Sequence, residues 1–106
     1  MMTKKKSTKN VAHILEDILG CKWSFRILMA IRGGTIRPGV IARSIDGLTT
    51  KVMNERLLKM VNYGILEKRS FAEIPPRVEY HFTTMGMRIG TLLDQIQVLQ
   101  DEIDMQ

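Results

Sequence analysis

In this 106-residue sequence, the side chains best suited to recognition chemistry are Lys51, Asn54 and Glu55. Their spacing of three and four positions puts them on one face if the segment is helical. Each can pair with a different base edge: Asn54 with adenine, Lys51 with guanine, and Glu55 as an acceptor from cytosine. A good match of this kind is worth about 1 to 3 kcal/mol of discrimination. Thr49 and Thr50 stand just before them, where the free N–H groups of a helix start favour a phosphate. Catalysis finds no comparable set. No nucleophile–base pair or paired carboxylates appear, and Gly33-Gly34 lacks the spacing and the lysine-serine ending of a phosphate-binding loop. His13, His81 and the single Cys21 are far apart with no acidic or thiol cluster beside them, so no metal, no cofactor and no enzyme are expected.

The charge is unevenly distributed in a way that fits this reading. The net charge is +5, but residues 1–10 carry four lysines, residues 11–91 hold twelve basic against seven acidic side chains, and residues 92–106 hold four acidic ones and no basic one. A basic middle attracts polyanions, and an acidic end suits a protein partner better. With 44% apolar and 25% charged residues the composition is that of a globular chain. Its length suits one domain, expected over residues 10–106 behind a basic tail at 1–9. No apolar run approaches the roughly 18 to 20 residues of a membrane span, and the lysine-rich start does not lead into an apolar signal region. One cysteine cannot form an intramolecular disulfide, which agrees with a reducing, cytoplasmic setting.

Periodicity supplies the elements that must position these residues. Val11, Ile14, Leu15, Ile18 and Leu19 form a one-sided helical stripe ending at Gly20, and Trp23, Ile27, Leu28 and Ile31 form a second, broken by Gly33-Gly34. Pro38 suits the first turn of a short third helix with Val40, Ile41 and Ile45 inward. Thr49 can cap a fourth helix in which Met53, Leu57, Met60 and Val61 face the core, leaving Lys51, Asn54, Glu55, Leu58, Lys59 and Asn62 outward, until Gly64 stops it. From Ile65 the period changes to two, and the run Val78–Thr83 is β-rich, so a hairpin is expected with a proline-stiffened flap at Ala72–Arg77. Thr83 or Thr84 then caps a last helix with Met85, Ile89, Leu92, Ile96, Leu99 and Ile103 at alternating spacings of four and three.

This order of elements predicts an α+β, mostly helical fold: a winged helix-turn-helix with additional helices at both ends. The sequence also resembles the HxlR-type transcriptional regulators, relatives of the MarR group. The resemblance is carried by Lys22-Trp23, by RPGVIARSI from Arg37 to Ile45, by MNERLLKMVNYGILEKR from Met53 to Arg69, by PPRVEY from Pro75 to Tyr80, and by Thr83 with Gly86. It implies a homodimer joined through its terminal helices that binds an inverted repeat in double-stranded DNA. By motif it places Lys51, Asn54 and Glu55 in the recognition helix and Arg77 at the wing tip. Two departures stand out. Pro38 replaces the usual phenylalanine of the third helix, and Asn10 occupies the position of the cysteine that thiol-sensing members carry, so their redox mechanism does not transfer.

Base readout is thus expected from Thr50, Lys51, Asn54 and Glu55, and backbone or wing contacts from Arg37, Arg43, Thr49, Lys59, Lys68, Arg69 and Arg77. Arg77 can reach a minor groove or pair with Glu73 or Glu79. Lys4 to Lys9 form a DNA-reaching arm or a solubilising tail, and Cys21 is a redox switch or a small core residue. No small-molecule or redox effector can be named. A helix of about twenty residues reaches ~30 Å, beyond the body of so small a domain. A dimer interface is therefore expected from Val11, Ile14, Leu15, Ile18, Ile89, Leu92, Ile96, Leu99 and Ile103. The competing reading is a winged helix used for protein docking, its basic face incidental.

Overall fold

A computed structural model describes residues 10–106; the expected basic tail at 1–9 lies outside the described residues. Five helices and one hairpin follow in the expected order: α1 (Val11–Gly20), α2 (Lys22–Arg32), α3 (Pro38–Ser44), α4 (Thr50–Asn62), β1 (Leu66–Phe71), β2 (Arg77–Phe82) and α5 (Thr84–Asp104). The helix starts are set locally. The Asn10 side chain accepts from the backbone N–H of His13, Thr49 from that of Val52 and Thr83 from that of Gly86, each meeting a donor that the first turn leaves unpaired. Pro38 opens α3 as expected. Gly64, with φ at 80°, makes the left-handed turn that carries the chain from α4 into β1.

The hairpin is antiparallel, with Leu66 opposite Phe82, Lys68 opposite Tyr80 and Phe71 opposite Arg77. Strand alternation gives it two faces. Leu66, Lys68, Ser70, Val78, Tyr80 and Phe82 share one; Glu67, Arg69, Phe71, Arg77, Glu79 and His81 share the other. The strand β2 runs from Arg77 to Phe82, one residue earlier than the β-rich run suggests, because Thr83 is taken by the α5 cap. The Tyr80 N–H donates to the Ile36 carbonyl at 2.8 Å, so the segment before α3 borders the outer edge of β2. That single bond has no side-chain pattern to announce it.

The core is built from Ile14 and Ile18 of α1, Ile27, Leu28 and Ile31 of α2, Ile41 of α3, Met53, Leu57 and Met60 of α4, and Ile89 and Leu93 of α5, closed by Ile65, Leu66 and Tyr80. This corrects the expected dimer set. Ile14, Ile18 and Ile89 are at most 2% exposed within one chain and cannot offer surface to a second. Leu15 and Ile96 are half-buried against the same core. Of the nine residues only Val11, Leu92, Leu99 and Ile103 remain substantially exposed, together with Leu19, Met87 and Val98. Met85, the first residue of the apolar stripe on the last helix, is also exposed. The reason is geometric: α5 is anchored in its first half, where the Asp94 carboxylate takes a bidentate pair from Arg32 of α2 at 2.8 to 3.2 Å, and every residue from Val98 onward is exposed. No helix among the described residues is long and apolar enough to cross a membrane.

Candidate nucleic-acid interface

Helix α4 buries Met53, Leu57 and Met60 and turns its opposite side to solvent. There Lys51, Asn54, Glu55, Leu58 and Asn62 are exposed, with Thr49 and Thr50 at the amino end. Among the described residues Lys51, Asn54 and Glu55 accept or donate no side-chain hydrogen bond and join no ion pair. The face is therefore uncommitted. Leu58 is its apolar exception, 61% exposed in the third turn, where a side chain of this kind suits a thymine methyl group.

The flank of α4 is fixed to α1 by a polar network that sequence spacing does not reveal. Arg56 Nη2 donates to Asp17 Oδ1 at 2.9 Å and its Nε donates to the buried Ser24 hydroxyl at 2.6 Å. The Tyr63 hydroxyl donates to Asp17 Oδ2 at 2.5 Å, and Lys59 Nζ lies 3.3 Å from the same carboxylate. Burial pushes the Asp17 carboxyl up, but the hydrogen bonds from Tyr63, Arg56 and Lys59 outweigh it and hold the group below its ordinary range. Lys59, expected on a phosphate, is thereby drawn toward α1 instead. Cys21, half-buried at the head of α2, adjoins this network. Burial raises its thiol, while the Ser24 N–H and hydroxyl, the Trp23 N–H and the Arg56 charge more than reverse that, so the net direction is down.

The hairpin divides its charges between its faces. Lys68 and Tyr80 line a cleft of about 320 Å³ with Asn54, Leu58 and Val61 of α4, so Lys68 stands beside the outward face. On the opposite face the charges are paired: Arg69 with Glu67 at 3.1 Å, and Arg77 with Glu73 at 3.0 Å and Glu79 at 3.5 Å. The Arg77 guanidinium also lies over the Phe71 ring, 4.1 Å from its centroid. His81 bonds Glu79 at 2.8 Å, and that bond, with the Arg77 and Arg37 charges, lowers the Glu79 carboxyl against the opposing effect of burial. Arg77 thus begins β2 rather than occupying the tip, which corrects its expected placement. Arg37 and Arg43, both exposed, line a groove of about 520 Å³ between α3 and the flap residues Pro75 and Pro76.

A short helix, a turn, a helix with a free polar face and a following hairpin beside it define a winged helix-turn-helix. The chain belongs to the HxlR-like helix-turn-helix family, whose model matches residues 18–106. It is 35% identical over 78% of its length to an HTH-type transcriptional regulator of Synechocystis, and 30% identical over 74% to one of Methanothermobacter thermautotrophicus. It spans about three-fifths of these relatives, 61% and 60% of their lengths. A crystal structure described as a MarR-family transcriptional regulator from Enterococcus faecalis superposes with a TM-score of 0.75 at 30% identity, covering 99% of this chain and 94% of that one. The relatives are regulators rather than enzymes. Among the described residues no three of His, Cys, Asp and Glu stand close enough to hold a metal ion.

Proposed function

We propose that this chain is a sequence-specific DNA-binding transcriptional regulator acting as a homodimer on an inverted repeat. The observation that carries the reading is the outward face of α4, largely polar, exposed and, at Lys51, Asn54 and Glu55, free of side-chain partners among the described residues. In the major groove, Lys51, Asn54 and Glu55 meet base edges, with Thr50 at the rim and Thr49, the helix cap, beside a phosphate. Arg37, Arg43 and Lys68 contact the backbone. Arg69 joins them by exchanging Glu67 for a phosphate, since that pair is half-exposed and weak. Arg77 serves chiefly to stiffen the wing through its two carboxylates and the Phe71 ring.

Binding a pool of randomised duplexes and sequencing the retained fraction tests this directly. A preferred site should emerge and survive ~150 mM salt, whereas an incidental basic face would select nothing. On that site, Asn54→Ala relaxes the preference at one base position by about 1 to 3 kcal/mol, roughly 5- to 150-fold. Lys68→Ala weakens all duplexes alike and lowers the salt slope by about one. Equal behaviour of both variants with the unaltered protein in a shift assay would overturn the mechanism.

The second copy is proposed to cover the exposed stripe of Val11, Leu92, Leu99 and Ile103, which the body of one chain leaves open. Two recognition helices then stand about one helical turn of DNA apart, ~34 to 36 Å. Burying each such side chain contributes about 1.5 to 3 kcal/mol. Leu99→Asp should therefore yield a monomer by light scattering at micromolar concentration. A monomer without the substitution would sink the dimer.

A further inference from the structure

Between the strands of the wing stand five residues, Ala72 to Pro76, and the middle one, Ile74, is 101% exposed, the most exposed large apolar side chain among the described residues. Its surroundings pair the charged groups beside it. The Glu73 carboxylate is bound by Arg77, the Arg77 guanidinium is stacked on Phe71 and held by Glu79, and Pro75 and Pro76 follow with no N–H to donate. The tip is thus stiff, locally neutral and apolar. The charge complementary to phosphate lies further down the hairpin, at Lys68 beside α4, and in Arg37 and Arg43 across the adjoining groove.

We infer that Ile74 is a minor-groove wedge that makes the wing select against G·C pairs in the DNA flanking the steps read by α4. This rests on the proposed DNA-reading function and goes beyond it by assigning a specificity to the wing. A single isoleucine ahead of two prolines is far too small for a protein interface, which buries about 800 Å² on each partner. The walls of a minor groove are deoxyribose carbons about 6 Å apart, and apolar side chains are known to enter there. The floor decides the sequence. A·T pairs present acceptors only, whereas each G·C pair adds the guanine N2 amino group, a donor that an apolar side chain would cover without offering it a partner.

Inosine in place of guanine deletes that amino group and leaves the major-groove edge intact, which separates wing readout from helix readout. The probe is a duplex selected by the protein itself from a random pool, resynthesised with A·T, I·C or G·C at the wing-facing pairs. The unaltered protein should bind the A·T and I·C forms about tenfold more tightly than the G·C form, the lower range of the effect of covering one hydrogen-bond donor without a partner. Ile74→Ala should abolish that preference while leaving the salt slope unchanged, because no charge is lost; at a fully exposed position it should also leave the unfolding midpoint unchanged. Equal affinity of the unaltered protein for all three duplexes, or an undiminished preference in Ile74→Ala, overturns the wedge while leaving the α4 reading in place. Failure to select any duplex from the pool overturns the DNA-reading function, and the wedge with it.

Discussion

Asp17→Ala lowers folding stability by about 3 kcal/mol, the lower end of what is lost when one partner of a buried ion pair is removed, because both Asp17 and Arg56 retain 16% side-chain exposure. The loss arises from the groups left behind. Arg56 keeps its bond to the Ser24 hydroxyl but loses its counter-charge, and the Tyr63 hydroxyl and Lys59 lose their acceptor. Urea unfolding measures it as a drop in midpoint at constant slope. Removing both charges, Asp17→Leu with Arg56→Met, should recover a large part of the loss, since the penalty belongs to the orphaned charge more than to the absent pair. The same carboxylate gives stability a pH dependence. Its folded-state pKa lies below its unfolded value near 3.9, so the contribution is complete above that value and is lost as the pH falls through the depressed one. Asp17→Asn should flatten this acid limb. An acid limb identical in the two proteins would show that the network is not what the carboxylate stabilises.

The consequence for recognition follows from where Arg56 sits. It shares α4 with Lys51, Asn54 and Glu55, and through Asp17 it fixes the roll of that helix against α1. Helix α1, which contributes Val11 to the stripe proposed to meet a second copy, is therefore tied by hydrogen bonds to the helix proposed to read bases. Little of this is legible in the sequence. Asp17 and Arg56 are 39 positions apart, and neither belongs to an apolar stripe. What periodicity does give is the face: with Met53, Leu57 and Met60 inward, Lys51, Asn54 and Glu55 must point outward, whatever α4 packs against.

The expected dimer residues show the limit of the same signal. A stripe establishes that a helix has an apolar side, but one chain and its partner compete for it. Ile89 and Leu92 are three positions apart on α5, yet Ile89 is at most 2% exposed and Leu92 is 48% exposed, because α2 and the hairpin cover only one edge of the stripe. In the wing, the motif that draws attention is the arginine, but strand pairing makes Arg77 the partner of Phe71 and leaves the tip to Ile74. Charge marks a candidate; only the register says whether it is already engaged.

Gly86→Ala should be the most damaging single methyl added to this chain. A β-carbon built there lies 2.0 Å from the Ile65 carbonyl oxygen and 2.9 Å from its carbon, both backbone atoms. That carbonyl cannot swing aside, because it accepts from the Thr83 N–H at 2.9 Å and from the Thr83 hydroxyl at 3.2 Å, and Thr83 caps α5. The helix must therefore move away from β1, giving up the cap and the packing of Ile89 and Leu93. Alanine is favoured over glycine by about 1 kcal/mol in a helix interior, and overpacking usually costs about 1 to 3 kcal/mol. With an immovable backbone as the obstacle the loss takes the upper end, a net destabilisation of about 2 kcal/mol or more. Gly90→Ala, one turn later, separates the two effects. The nearest atoms to its β-carbon all belong to the Arg32 side chain, 3.0 to 3.2 Å away, and a side chain can give by a few tenths of an ångström, so propensity and crowding nearly cancel. Thermal unfolding should place Gly90→Ala close to the unaltered protein and Gly86→Ala far below it. Since α5 also carries the exposed Leu92, Leu99 and Ile103, the same displacement should weaken self-association in Gly86→Ala before the domain itself unfolds. Equal midpoints for the two variants would mean that the approach of α5 to Ile65 is not the constraint that holds it.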